Sequence, residues 1–176
     1  GGVNFVGNIV GSAGSQFIAV SGATVQVRGA ANTFTAGTVG AESAGAFECR
    51  SATCFGDNTN DIYMGGGIVR LFTSATYAND LQTSASTPDD SWLISNVSAT
   101  ISGNVTINDS IGISEDLAGA SLQFNGGSVT LNGSMSIFGV DQTAIVRFDT
   151  SIGGVGAVSF GGATTRLNVA NSYSGT

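Results

Sequence analysis

Apolar and polar residues alternate along most of the chain, and no segment repeats apolar residues at the 3.6-residue spacing of a helix. In the clearest example, residues 99–107, every odd position is apolar or glycine and every even position is Ser, Thr or Asn. Such alternation predicts strands with one buried and one solvated face. The same pattern occurs at 3–10, 17–28, 46–54, 68–73, 144–148, 157–160 and 166–170. An all-β protein follows, with one short helix predicted near 114–118, where Glu115 and Asp116 suit a first turn.

The register of neighbouring segments favours antiparallel pairing. A turn at Gly126-Gly127 would place the apolar residues of 122–124 and 129–131 on one face, as a tight hairpin requires. A turn at Asn132-Gly133 would scatter apolar residues over both faces, so 128–137 is predicted to be one long strand bent at Gly133. We therefore predict a single all-β domain over residues 1–176, an antiparallel β-sandwich of jelly-roll type. A right-handed parallel β-helix is the alternative.

An internal similarity bears on this choice. Residues 98–107 align without gaps on residues 128–137, with four of the ten positions identical and a glycine at the sixth position of each. An inward glycine permits a bend or a close approach by another backbone. The 30-residue offset fits one turn of a solenoid, but it also fits two similar strands of a sandwich.

Composition excludes several kinds of chemistry. The chain has no histidine and no lysine, and its net charge is −7 with five arginines. Histidine triads, histidine metal sites, Schiff-base lysines and the P-loop lysine are therefore impossible. The acidic balance argues against a nucleic-acid partner. No run of about 18 apolar residues occurs, so no transmembrane segment is predicted. We expect a protein that is not an enzyme and needs no cofactor.

Cys49 and Cys54 are the two cysteines of the chain. Two thiols cannot complete a zinc site, and their spacing differs from the redox Cys-x-x-Cys motif. They predict a small disulfide loop formed in an oxidising compartment, with two buried free thiols as the alternative.

Two polar clusters are weak candidates for chemistry. Asp57, Asn58, Asn60 and Asp61 offer oxygen ligands of the kind that Ca²⁺ prefers, but without the distal glutamate of an EF-hand a solvated turn is favoured. The adjacent pair 89–90 (Asp-Asp) would point in opposite directions on a strand, which favours a polar turn over a glycosidase acid pair.

Aromatic side chains with a polar group suit half-wet surfaces and could form a sugar-stacking platform. The candidates are Trp92, Tyr63, Tyr77 and Tyr173. Because the chain has a single tryptophan, packing in the core or at its rim is favoured instead.

Two segments resemble bacterial surface proteins. The end of the chain, with Asn171-Ser-Tyr-Ser-Gly175, resembles the passenger repeats of autotransporter adhesins, whose coils often close with such a phrase. This resemblance implies a parallel β-helix and an adhesive or structural role. Residues 1–10 are similar to the first strand of chaperone–usher pilins, which implies a polymeric surface protein.

The same first segment suggests how copies could assemble. Val3, Phe5, Gly7 and Ile9 alternate on one face, so this strand could insert into a neighbouring subunit. The chain also lacks lysine and has one proline, so its sheet edges are poorly protected against pairing. We predict an extracellular, non-enzymatic subunit of a cell-surface filament joined to copies of itself, with a host or neighbouring cell as a further partner. A β-helical adhesin segment and a carbohydrate-binding β-domain are the alternatives.

Overall fold

The computed structural model describes residues 1–12, 16–85 and 91–175, and the regular structure within these residues consists of short β-strands. In chain order they are β1 (Gly2–Phe5), β2 (Gln16–Ala19), β3 (Thr24–Val27), β4 (Thr38–Glu42), β5 (Ala46–Cys49), β6 (Asp61–Gly65), β7 (Ile68–Leu71), β8 (Thr76–Tyr77), β9 (Leu81–Thr83), β10 (Ser91–Ser95), β11 (Ala99–Ile101), β12 (Val105–Ile107), β13 (Ser110–Glu115), β14 (Ser121–Phe124), β15 (Val129–Leu131), β16 (Ser134–Gly139), β17 (Ile145–Phe148), β18 (Ile152–Gly154), β19 (Val158–Phe160) and β20 (Thr164–Leu167). The prediction of an all-β protein is confirmed.

The strands form three parallel sheets that wrap around one core. Sheet A contains eight strands in the order β1-β3-β5-β7-β10-β13-β16-β19, sheet B contains seven in the order β18-β15-β12-β9-β6-β4-β2, and sheet C contains five in the order β20-β17-β14-β11-β8. Paired residues lie from 19 positions apart, as Ile145 and Thr164 do, to 24 apart, as Ile111 and Met135 do. The chain is therefore a β-solenoid of about seven turns.

The predicted antiparallel sandwich is wrong, and the parallel β-helix alternative fits. In the proposed hairpin, Phe124 would pair with Val129, but Phe124 pairs in parallel with Ile101 and Phe148 instead. Val129 belongs to another sheet, in which it pairs with Val105. At a corner of the solenoid, alternate side chains of the strands before and after the corner point toward the same core. The same is true of a hairpin, so a corner and a hairpin have the same pattern of apolar residues.

The predicted long strand over 128–137 is also wrong, because it breaks at Asn132-Gly133 into β15 and β16 in different sheets. The expected close backbone approach is present: a side chain at Gly133 would collide with the carbonyl oxygen of Asp109 in the preceding coil. Gly103 meets the carbonyl of Asn79 in the same way. The 30-residue similarity therefore compares two different corners, β11–β12 and β15–β16, and not one turn with the next.

The predicted helix near 114–118 is wrong as well. Ser114 and Glu115 form the end of β13, and both pair with β10 and β16. Burial of the apolar face of this segment in the coil outweighs the weak helix-start signal of two acidic residues.

Aliphatic and aromatic side chains of successive coils stack along the core. Phe124 and Phe148 stack with centroids 4.7 Å apart, and the Phe47 ring stacks on that of Phe55 at 5.5 Å. Each fully buried Leu, Ile or Phe contributes about 1.5–3 kcal/mol relative to an exposed one, so the core stabilises coils that have no stability alone.

The first segment belongs to this stack. Val3 and Phe5 lie in β1, where Val3 pairs with Val25 and the Phe5 ring packs edge-on against Phe17 at 5.4 Å. Gly7 and Ile9 follow the strand; a side chain at Gly7 would meet open space, and the backbone N–H of Ile9 donates to Asn32 Oδ1. In the part of the chain that the structure describes, no helix long and apolar enough to cross a membrane is found.

Candidate functional site

The outward face of sheet A holds the aromatic pair that is the strongest candidate for a binding site. Trp92 lies on β10 and Phe138 on β16, with β13 between them. Their rings stack with centroids 5.6 Å apart and planes inclined by 30°. We call Trp92, Gly112 and Phe138 the aromatic platform. Because it stands on paired strands and not on a loop, its geometry is held by the backbone of the sheet.

Gly112 explains how the indole lies on the sheet. It pairs with Trp92 in the adjacent strand, and a Cβ at this position would lie 2.5 to 2.7 Å from three carbons of the indole ring. Any side chain here would therefore push the ring away from the sheet. The missing side chain lets the indole lie flat over β13 and reach Phe138 two coils away.

A groove of about 140 Å³ is bounded in part by the platform residues themselves. The polar residues that line it are Ser110, Ser134 and Ser136. Ser136 Oγ accepts a hydrogen bond of 2.8 Å from Ser159 Oγ in the last coil of sheet A. A hydroxyl group both donates and accepts hydrogen bonds, so serine side chains provide donors and acceptors without charge.

The other half of the same face is charged. Glu48 of β5 accepts hydrogen bonds from Gln26 Nε2 at 2.8 Å and from Arg50 Nη2 at 2.8 Å, and its other oxygen lies 3.9 Å from Arg70. The Arg50 guanidinium also lies 4.0 Å above the Phe72 ring. Sheet A thus presents a polar, ionic half at its N-terminal coils and a neutral, aromatic half at its later coils.

Glu115 is a buried carboxylate that the sequence pattern did not identify as one. It lies at the end of β13 with no exposed surface, between Ser95 and Gly139 of the neighbouring strands. One oxygen accepts from the backbone N–H of Leu117 at 3.1 Å, whereas no described residue hydrogen-bonds the other. Burial raises the pKa of Glu115 to about 7, and the Leu117 hydrogen bond only partly offsets this effect.

The structure contains the predicted disulfide. Cys49 ends β5, Cys54 lies in the following loop, and their Cα atoms are 5.3 Å apart. Both cysteines are fully buried, and Tyr77 Oη lies 3.3 Å from Cys49 Sγ while it donates to the carbonyl of Thr73. Burial raises the pKa of Tyr77 above its ordinary value. The disulfide therefore belongs to the packed core of the third coil.

Three of the four calcium candidates are hydrogen-bonded to separate partners. Asp57 accepts from the backbone N–H of Thr59, which lowers the pKa of its carboxyl. The side chain of Asn60 is buried, and its Oδ1 accepts from the backbone N–H of Ala36 at 2.8 Å. Asp61 Oδ2 accepts from Gln82 Nε2 at 2.9 Å, and burial together with the charge of Asp80 raises the pKa of Asp61. Asn58 is exposed between them.

Among residues 1–12, 16–85 and 91–175, no group of three His, Cys, Asp or Glu side chains is close enough to hold a metal ion. Asn60 instead joins neighbouring coils, because its Nδ2 donates to the carbonyls of Phe34 and Phe55. This polar side chain is therefore a structural link between turns of the solenoid.

The tryptophan and the three tyrosines that were candidates for a sugar-stacking platform do not lie together. Trp92 is in sheet A, Tyr63 is in sheet B, and Tyr77 is in sheet C and is buried in the core. Tyr173 is partly buried against the core near the end of the chain. The partner of Trp92 is Phe138, 46 positions away, so only a known coil length of about 23 residues could have paired them. Asp89 and Asp90 lie outside the described residues.

Comparisons with known proteins identify no relative of this chain. The chain matches no protein-family model, no curated protein sequence and no solved structure.

Proposed function

We propose that this chain is a β-helical segment of an extracellular adhesin, whose role is structural and adhesive and not catalytic. The observation that supports it most is the continuous stacking of parallel coils through all three sheets. A solenoid of this kind presents extended flat faces at fixed spacing, and such faces are commonly used for binding. The buried Cys49–Cys54 disulfide suits a protein that folds in an oxidising compartment.

Adherence of displaying cells tests this function. The chain is fused to an outer-membrane display anchor, and attachment of the bacteria to cultured epithelial cells and to one another is counted. We expect several times more attachment than with the anchor alone. The matched control is Leu131→Asp, which places a charge at a fully buried position and so disrupts the coils. Equal attachment by the displayed wild-type chain and the anchor alone would contradict the proposal.

A filament of stacked copies is the second candidate, and one observation favours it. β1 and β19 are the outer strands of sheet A in the described residues, and their inward positions Val3 and Phe160 are each 52% exposed. The corresponding residues of the inner coils are buried, apart from Val25 next to Val3, which is partly buried. Another coil placed on either edge would cover Val3 or Phe160. Edge pairing between copies, or exchange of the first strand, would provide that coil.

Sedimentation velocity separates this candidate from a monomeric segment. We expect large species from the wild-type chain, and their loss in Val3→Lys, because Val3 points toward the added coil. Asn4→Lys, on the outward face of the same strand, is the matched control and should still assemble. A monomeric wild-type chain at high concentration would remove the filament from consideration.

A further inference from the structure

We infer that the aromatic platform and the groove beside it form a binding site for a neutral saccharide chain. This inference deepens the proposed function, because it names the chemical class that an adhesive face would contact. It rests on that function for its biological setting, whereas the binding itself is a property of the isolated chain.

The platform has the shape that a sugar ring requires. A pyranose has an apolar face made of C–H groups, and it gains dispersion and hydrophobic contact when it lies on an aromatic ring. Trp92 and Phe138 stack on each other with planes inclined by 30°, and Phe138 is 40% exposed, so the outer face of the Phe138 ring is where a sugar ring would lie. Gly112 keeps the indole flat on the sheet, so the platform exists before a ligand arrives and little ordering cost is paid on binding.

The groove beside the rings supplies the polar half of the recognition. Sugar hydroxyls donate and accept hydrogen bonds, and so do the hydroxyl groups of Ser134 and Ser136 in the groove lining. An apolar surface next to a few placed polar groups is the usual composition of a small-molecule site.

Charge selects among saccharides. The described side chains that line the groove are neutral, and the chain as a whole has a net charge of −7. A sulfated or uronic-acid polymer would therefore meet repulsion from the whole molecule with no cation in the groove to offset it. The arginines nearest along the sheet, Arg50 and Arg70, are already engaged with Glu48. A neutral saccharide chain is the class that remains.

Size argues against a protein at this place. The platform and groove together are lined by seven residues, whereas a stable protein–protein interface uses about 20–30 residues on each side. A short stretch of an oligosaccharide, in contrast, matches two rings and a narrow groove.

The chain provides its own reporter for the test. Trp92 is the single tryptophan, so its fluorescence reports the platform directly. The purified chain is titrated with cellohexaose, maltohexaose, mannopentaose and chitopentaose, and with heparin as the anionic probe. We expect at least one neutral oligosaccharide to shift and saturate the Trp92 emission, and heparin to have no effect at physiological salt.

Substitutions at Phe138 test the stacking. Phe138→Leu keeps an apolar side chain without a ring and should weaken the affinity at least tenfold, whereas Phe138→Tyr should remain within threefold of wild type. Phe160→Ala removes an exposed ring on the same sheet outside the platform and is the matched control. Thermal melts of all three variants check that the coils remain folded.

Three outcomes overturn the inference: no neutral probe alters the Trp92 emission at millimolar concentration, the affinity of Phe138→Leu equals that of wild type, or heparin binds in place of the neutral probes. If displaying cells adhere but no saccharide binds, the proposed function stands and this inference fails. If saccharide binds but displayed cells do not adhere, the site is real and the adhesive role fails.

Discussion

At the scale of single residues, Glu115 is the most unusual group of the core. An ordinary glutamate has a pKa near 4.5, but burial raises that of Glu115 to about 7 in the folded chain. The folded state therefore binds a proton more tightly than the unfolded state does. The contribution of Glu115 to the free energy of unfolding is therefore greatest below pH 4.5. It falls as the pH rises through 7.

We predict that Glu115→Gln removes this pH dependence. Glutamine has the same shape and no charge, so the variant should match wild type at pH 4 and exceed its free energy of unfolding at pH 8 by about 1–3 kcal/mol. Urea denaturation at pH 4, 6 and 8 measures the difference. Glu42→Gln, at a half-exposed position, is the control. If wild type and Glu115→Gln lose the same free energy of unfolding between pH 4 and 8, Glu115 is not the cause of the pH dependence.

Gly112 is the second residue whose role is local. Its backbone conformation is ordinary, so Gly112→Ala introduces no backbone strain, but the added methyl group would collide with the Trp92 ring. We predict that the indole lifts from the sheet and that its emission shifts toward the red without ligand. Gly7→Ala, in which the added methyl group meets open space, is the control and should leave the emission unchanged. An unaltered spectrum in Gly112→Ala would mean that the ring does not depend on this contact.

At the scale of elements, the disulfide loop replaces a regular strand in the third coil. Cys49 and Cys54 close a loop of six residues, and Phe55 stacks on Phe47 just beyond it. The packing of the aromatic rings and the hydrogen bonds of Asn60 hold the same loop independently of the sulfur bond. The covalent link is therefore one of several constraints on this element.

We predict that the double variant Cys49→Ala, Cys54→Ala keeps the fold and loses about 2 kcal/mol of unfolding free energy, because so short a loop removes little entropy from the unfolded chain. Far-UV circular dichroism checks the fold, and urea denaturation measures the loss. The wild-type chain with and without reductant is the parallel comparison. A double variant with the spectrum of an unfolded chain would refute this estimate of the role of the disulfide.

Corners are the elements that decide the topology. Asn132-Gly133 turns the chain from sheet B to sheet A, and the backbone of Gly133 passes so close to Asp109 that no side chain fits. Asparagine side chains join corners of successive coils, as Asn132 Nδ2 does when it donates to Asn108 Oδ1 at 3.0 Å. Such contacts connect residues about 24 positions apart. The residue types at one corner therefore do not show, from the sequence, which other corner lies next to it.

At the scale of the whole molecule, stability follows from stacking. Each coil contacts the coil before it and the coil after it, so inner coils are covered on two sides and outer coils on one. The exposed apolar residues at the two ends of the stack reflect this, with Val3 and Phe160 each 52% exposed while Ile113 is buried. Local unfolding should therefore begin at the ends.

We predict that hydrogen exchange is graded along the solenoid. Backbone amides of β13, β14 and β15 should be the most protected, and those of β1 and β19 the least, because opening an end coil exposes one interface and opening an inner coil exposes two. Exchange measured by mass spectrometry at pH 7 and corrected for intrinsic rates tests this. Equal protection of inner and outer coils would indicate a single cooperative unit instead.

The alternation of apolar and polar residues by itself determined that the chain consists of strands with one inward face. In 99–107 each apolar residue that the pattern assigned to the buried face is buried, although the strand breaks at Gly103. Gly103 and Gly133, which the sequence placed inward, mark close backbone contacts, and the two cysteines form the predicted disulfide. These features depend on local spacing, which is readable along the chain.

Tertiary structure alone decided how the strands pair. Whether Phe124 meets Val129 across a hairpin or Ile101 and Phe148 in adjacent coils depends on the free energy of contacts 23 and 24 positions apart, and both choices satisfy the same local pattern. The same long-range pairing brought Phe138 to Trp92 and enclosed Glu115. A period-two pattern specifies which side of a strand faces the core, but it does not specify which strand lies next to it. The sheet order and the candidate site therefore arise only when the coils stack.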